Sequence, residues 1–183
     1  VVTFAVVIAS AAGQRISLKQ RGLMQDAISA PQIGGILRFT GFIVTLTAVF
    51  ELTGAALLSL VFCREFGLWR GLWYGLFHGV SAFCNAGFDL MGVRAPYSSL
   101  TGFAARPAVN LIVMALIILG GIGFMTWSDL KTNRLRFRRY RMQTKVVLVT
   151  SGLLLVLPAV YFYFFEFAGL EPGERFWGSL FQS

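Results

Sequence analysis

One histidine, His78, and two cysteines, Cys63 and Cys84, are all the imidazole and thiol ligands that 183 residues offer a metal. A structural zinc site takes four such ligands and a disulfide framework takes at least two pairs, so neither is supplied, and haem ligation is poorly provided for. Charge is also sparse: 13% of residues are Asp, Glu, Lys or Arg, against roughly a quarter in soluble domains. Hydrophobic residues make up 56%, and the mean hydropathy is +0.71. This composition excludes a disordered chain. It also holds more apolar surface than one small core can hide from water, which argues against an ordinary soluble enzyme and for a bilayer as solvent.

Acidic residues number eight against sixteen basic ones, a net charge of +8. In a soluble protein that balance would point to nucleic acid, so the placement of the cations decides its meaning. Eleven of them fall in two intervals: Arg15, Lys19, Arg21 and Arg38, then Lys131, Arg134, Arg136, Arg138, Arg139, Arg141 and Lys145. Glu65, Asp89, Glu166, Glu171 and Glu174 fall in the other set of loops, and Glu51 lies within an apolar stretch. The positive-inside rule produces this asymmetry, so both basic intervals are expected on the cytoplasmic side of a cell membrane. Between Lys131 and Lys145 the stacking aromatics are Phe137 and Tyr140, too few for a nucleic-acid surface, and no nucleic-acid partner is expected.

Three apolar intervals reach the roughly 20 residues that a crossing helix needs: Ile36 to Phe62, Pro107 to Trp127 and Val146 to Phe167. The first thirteen residues are apolar but too short to cross, and no basic stretch precedes them, which disfavours a signal peptide. Both ends fall inside apolar runs, so the sequence reads as a piece of a longer membrane protein. Between the first two spans, Leu68 to Phe83 is apolar and aromatic yet sixteen residues long, about 24 Å as a helix. The basic ends of the two spans lie on one side. The chain must therefore leave the cytoplasm, dip with a short helix, and return through irregular backbone at Cys84-Asn85-Ala86-Gly87-Phe88-Asp89. Irregular backbone at membrane depth is tolerated where protein, water or ions meet its polar groups. The negative end of the short helix would favour a cation there, and Gly87 can take angles that turn successive carbonyls toward one axis. An ordinary extracellular turn after an interfacial helix fits the same pattern.

An internal repeat bears on that choice. Leu72-Trp73-Tyr74-Gly75-Leu76-Phe77-His78-Gly79 aligns with Phe176-Trp177-Gly178-Ser179-Leu180-Phe181-Gln182-Ser183 at an offset of 104, and Val2-Thr3-Phe4 echoes Met125-Thr126-Trp127 ahead of a basic loop. Repeated span, half-helix and span units are what a pore assembled around a pseudo-symmetry axis requires. The expected organisation is the inner end of a preceding repeat's second span at 1–13, a cytoplasmic loop at 14–35 and a complete repeat at 36–130. A basic cytoplasmic loop at 131–145 follows, then the first span and the start of the pore helix of the next repeat at 146–183.

The phrase from Phe77 to Leu90, Phe-His-Gly-Val-Ser-Ala-Phe-Cys-Asn-Ala-Gly-Phe-Asp-Leu, resembles the second pore loop of the Trk/Ktr potassium transporter family, in particular its Ktr and NtpJ-like membrane subunits. Arg15 to Arg21, Ile118 to Phe124 and Phe181-Gln182-Ser183 resemble the loop after that family's first repeat, the inner end of its second and its third pore helix. The resemblance implies an all-α membrane protein of potassium-channel-like repeats, each a span, a re-entrant pore helix with filter loop, and a span. It implies potassium uptake, with K+ coordinated by backbone carbonyls of Cys84, Asn85, Ala86 and Gly87, Phe88 completing the filter, and Na+ a candidate coupling ion. It further implies a homodimer of full-length subunits in a bacterial inner membrane and a cytosolic nucleotide-binding regulatory ring docked on the basic loops, with Arg134 to Arg141 as contacts. No covalent chemistry and no organic cofactor are expected. One such loop supplies one quarter of an ion site.

Several residues carry two readings. Asp89 could concentrate cations at the pore mouth or cap the returning chain. Glu51 is costly in mid-span unless it meets the ion path, the pore helix or a polar neighbour such as Thr53 or Ser59. His78 could pack and hydrogen-bond on the pore helix or sense pH. Gly120, Gly121 and Gly123 could form a hinge or a close helix contact. Pro158 is expected to kink the third span. Two other classes are a membrane-embedded enzyme and a non-conducting assembly subunit. The enzyme lacks paired carboxylates, His-x-x-x-His or Gly-x-Ser-x-Gly.

Overall fold

A computed structural model describes residues 36–183 apart from Ala95, Ala105 and Leu135, with side chains from Arg38 onward. The expected segments 1–13 and 14–35 lie outside the described residues. The chain divides into two compact units, Val1–Val49 and Phe50–Ser183. In the first, the described residues are helical; the Thr45 hydroxyl donates to the Gly41 carbonyl at 2.9 Å and the Phe39 and Phe42 rings stack 6.2 Å apart. The second unit contains the site.

Helix, without strand, makes up the regular structure of the described residues, as the apolar runs predict. The first helix, α1, is Ile36–Phe66, longer than the expected Ile36 to Phe62, and a single residue separates it from α2, Leu68–Phe83. That residue is Gly67 at φ 79°, a left-handed conformation that costs an L side chain about 1–2 kcal/mol, so glycine both stops α1 and turns the chain back. The short helix then doubles back along α1. Gly71 lies over Cys63, Gly75 over Ser59 and Ala55, and Gly79 over Ala55. A Cβ at Gly75 would sit 2.7 Å from the Ser59 nitrogen and 2.8 Å from the Ala55 oxygen, closer than side chains tolerate. Glycine at every fourth position thus clears one face of α2 for backbone-to-backbone packing.

Beyond the loop at Cys84–Leu90 the chain passes through 3-10 turns at Met91–Val93 and Thr101–Phe103 and enters α3, Pro107–Gly121, with Pro107 in the first turn where its missing N–H costs nothing. Leu58 and Phe62 of α1, Phe83, Met91 and Phe103, and Val109, Val113 and Leu116 of α3 form the core. The expected second span, Pro107 to Trp127, is not one straight helix. It breaks between Gly121 and Phe124, and α4, Phe124–Asn133, leaves at 91° to α3. Gly123 at φ 87° makes the break possible, and the Trp127 indole N–H folds back onto the Leu119 carbonyl at 3.0 Å, satisfying an acceptor freed at the end of α3.

The basic interval after α4 is ordered by its few non-basic members. Buried Tyr140 donates its hydroxyl to the Arg134 carbonyl, and buried Asp129 accepts from the Arg141 backbone N–H at 2.8 Å and the Asn133 amide at 2.7 Å. Next comes α5, Met142–Tyr161, continued by a π-helical turn at Phe162–Glu166. Pro158 lies inside this stretch, and its missing N–H fits a helix whose register shifts one turn later. After a turn, α6, Pro172–Gln182, packs back on the end of α5: the Arg175 guanidinium stacks over Tyr163 at 4.3 Å, and Gly178 faces Phe167. The offset of 104 carries Leu68, the first residue of α2, onto Pro172, the first of α6. Each of these two short helices turns back on the helix before it. The long helices α1 and α5, the latter with its π turn, are apolar and long enough to cross a membrane, and the bent pair α3 and α4 together passes the same test. Val149, Leu153, Leu154, Val156, Leu157 and Val160 expose apolar surface on α5, the surface a lipid or a neighbouring helix covers.

Candidate functional site

The end of α2 explains the loop that follows. Cys84 N–H donates to the Val80 carbonyl at 2.9 Å, Asn85 N–H to Ala82 at 3.1 Å, and Ala86 N–H to Ser81 at 2.9 Å. The last two form a Schellman motif, which requires a left-handed residue at its hinge. Asn85 fills that place at φ 52°, asparagine being among the few non-glycine residues that accept it. Two residues later Gly87 is left-handed again at φ 72°. The alternation swings the peptide planes, and Cys84 to Phe88 lie exposed. Among the described residues, no hydrogen bond reaches the carbonyl oxygens of Cys84, Asn85, Ala86 or Gly87.

The flanks of the loop are held tightly. The Ser81 hydroxyl donates to the Phe88 carbonyl at 2.7 Å, which turns that oxygen toward α2. Leu90 N–H donates to His78 Nε2 at 3.3 Å, and the same ring engages the Tyr74 carbonyl through Nδ1 at 2.7 Å. Asp89 Oδ1 accepts from Met91 N–H at 2.8 Å, so this carboxylate caps the returning chain. The Asn85 side-chain amide points to the Ile117 carbonyl on α3 at 3.5 Å.

Two contacts place the loop within the bundle. Cys84 Sγ lies 3.6 Å from Glu51 Oε1, so the carboxylate midway along α1 meets the end of α2, not Thr53 or Ser59. Gly120 of α3 faces the Phe83 carbonyl so closely that a Cβ would fall well inside 3.0 Å of its oxygen. Gly120 is thus a close-contact residue, and Gly123 serves the break in the helix. On the open side, a cavity of about 510 Å³ is lined by His78, Asn85, Gly87, Asp89, Asn110 and Trp177, among others, bringing α6 to the loop.

Sequence reasoning did not find two features. The glycines at 71, 75 and 79 had a signal, their spacing of four. The other lies near the C-terminal end of α1: Glu65 pairs with both Arg94 and Arg106, and Arg94 stacks over Phe66 at 5.0 Å and Phe103 at 4.7 Å. Glu65 and Arg94 stand 29 residues apart, and no local pattern announces their pairing.

A family model described as TrkH, cation transport protein, matches residues 1–174. The Ktr system potassium uptake protein B of Bacillus subtilis is 34% identical over 189 residues, covering 99% of this chain and 41% of the relative. The potassium/sodium uptake protein NtpJ of Enterococcus hirae is 34% identical over 159 residues, 87% of this chain and 34% of the relative. The Ktr system potassium uptake protein B of Vibrio alginolyticus is 32% identical over 188 residues, 99% of this chain and 40% of the relative. The chain therefore spans well under half the length of each of these relatives, all of them named as uptake proteins and none as an enzyme. With its apolar helices and a family match over nearly all its length, the chain is a membrane protein and belongs to the TrkH family of cation transport proteins.

Proposed function

We propose that this chain is the second-repeat region of a potassium-uptake subunit in the cell membrane, and that K+ passes along the loop Cys84–Phe88 on its way into the cell. The observation that carries the reading is the state of the loop backbone: left-handed residues at 85 and 87, and four successive exposed residues, Cys84 to Gly87, whose carbonyls have no donor among the described residues. Carbonyl oxygens of that kind can replace the hydration shell of an alkali cation, which is how potassium filters discriminate. The pore helix aims its C-terminal, partly negative end at the same place. Phe88, whose oxygen is held by Ser81, marks the outer limit of the coordinating stretch. The other three quarters of such a site would come from equivalent loops of the full-length subunit. Na+ would be a coupling ion; the name of NtpJ, a potassium/sodium uptake protein, supports Na+ as a second ion. Two full-length subunits would pair. A cytosolic nucleotide-binding ring would meet the ordered basic loop, Arg134 to Arg141.

The test is growth of a potassium-uptake-deficient bacterium on low potassium, rescued by the full-length subunit with and without Gly87→Ser. A side chain at φ 72° is strained by about 1–2 kcal/mol, and the loop is expected to relax out of its coordinating shape. Rescue should then need more K+ and become sensitive to added Na+. Equal rescue by both forms would remove Gly87 from the mechanism.

A further inference from the structure

We infer that His78 is a positioning residue for the filter loop: a neutral imidazole that braces the outgoing chain at Leu90 to the pore helix and thereby sets the preference for K+ over Na+. The inference rests on the reading of Cys84–Phe88 as a filter. A carbonyl can accept but not donate, so the 2.7 Å contact between Nδ1 and the Tyr74 oxygen assigns the ring proton to Nδ1. Nε2 is then left as an acceptor, and Leu90 N–H donates to it. Both nitrogens are used, each in one role. The side chain is 3% exposed, and its ring is gripped edge-on by Phe62 of α1 at 5.5 Å and by Tyr74 and Phe77 of α2 at 6.4 and 5.7 Å. Packing therefore fixes where Nε2 points.

His78 and Leu90 stand twelve residues apart, and the whole loop lies between them. Ser81 acts on the same segment by holding the Phe88 carbonyl, so two side chains of α2 grip the chain on either side of Asp89. Asp89 bonds forward to Met91 and does not tie the loop to α2. Without the His78 brace, Ser81 is the one side chain of α2 left hydrogen-bonded to the segment between Gly87 and the buried Met91, among the described residues. Discrimination between alkali cations depends on the spacing of the coordinating carbonyls and on how firmly they are held, which makes a brace of this kind a selectivity element.

The experiment compares three variants of the full-length subunit in cells lacking their own potassium uptake, with Rb+ uptake measured against competing Na+. His78→Gln can place an amide oxygen near the Nε2 position and accept from Leu90. His78→Asn mimics the Nδ1 side and leaves Leu90 N–H without an acceptor, and His78→Phe fills the space with neither. The Gln form should keep its Rb+ over Na+ preference to within about twofold, whereas the Asn and Phe forms should lose it by about threefold to tenfold, the range one neutral hydrogen bond spans. The maximal rate per inserted subunit should change less than the preference. Wild-type preference in the Asn form, or a Gln form no better than Phe, overturns the proposal. So does failure of the Asn and Phe forms to insert while Gln inserts, since His78 would then serve folding. A wild-type subunit that takes up no Rb+ refutes the transport reading itself, and the brace with it.

Discussion

Gly120 and Gly152 are both helical glycines, and the structure assigns opposite outcomes to the same change. Alanine is the better helix former by about 0.8–1.0 kcal/mol. At Gly152 on α5 nothing lies within 4 Å of the new Cβ, so that gain stands. At Gly120 the new carbon would fall on the Phe83 carbonyl, with the carbonyl carbon 2.9 Å and the α-carbon 3.4 Å away. Backbone cannot swing aside as the tip of a side chain can, so overlap of this kind costs about 1–3 kcal/mol and should separate the two variants by that amount. The displaced group matters as much as the energy, because Phe83 is the last residue of α2 and Cys84 follows it. Thermal unfolding of the full-length subunit in detergent, followed by loss of its chromatographic peak, should give a lower midpoint for Gly120→Ala and an unchanged or higher one for Gly152→Ala. Rb+ over Na+ preference should fall in the first and hold in the second. Equal midpoints would refute the close approach of α3 to the end of α2.

The charge clusters on either side of the bundle make separate predictions. Arg94 and Arg106 are 38% and 49% exposed at the side chain, so each pair with Glu65 contributes only about 0.2–1 kcal/mol, and Glu65→Gln should loosen the outer loop without unfolding the protein. Faster amide exchange between Met91 and Arg106, with uptake at saturating K+ unchanged, is the expected result; unaltered exchange would sink it. Asp129→Ala leaves the Arg141 N–H and the Asn133 amide without their acceptor at a buried position, a loss of about 1–3 kcal/mol. Trypsin should then cut between Arg134 and Arg141 faster than in the parent. An identical digestion pattern would show that the network does not order this loop.

What could be read in the sequence depended on how local the cause was. The bounds of α2, Leu68 and Phe83, were legible because an apolar run of sixteen residues sits between Gly67 and Cys84-Asn85-Ala86-Gly87, and its terminator, Asn85, is a residue type that ends helices. The offset of 104 was legible because aromatic residues recur with it. The break after Gly121 was legible only as one of two readings of Gly120, Gly121 and Gly123, a hinge or a close contact, since apolar composition runs on through Ile122 to Trp127; the left-handed Gly123 decides it. Glu51 could be identified as a group needing a partner, but not as the partner of Cys84, 33 residues away. The spacing of Gly71, Gly75 and Gly79 leaves a periodic trace of helix packing, but a single side-chain pair far apart in sequence leaves none.

The depth of the loop follows from two lengths that agree without having been derived from each other. Glu51 stands fifteen residues from either end of α1, about 22 Å along the helix from Phe66. The returning helix α2 has sixteen residues, about 24 Å, and packs antiparallel on that same stretch of α1 through Gly71, Gly75 and Gly79. Cys84 is therefore delivered to the level of Glu51, and the 3.6 Å contact between them is what equal lengths produce. A shorter α2 would leave the loop near the outer end of α1, and a continuous helix would carry it past. Midway along a crossing helix, irregular backbone needs protein, water or an ion for its polar groups. Among the described residues, protein donors reach the carbonyls of Ser81, Ala82 and Phe88, and none reaches those of Cys84 to Gly87.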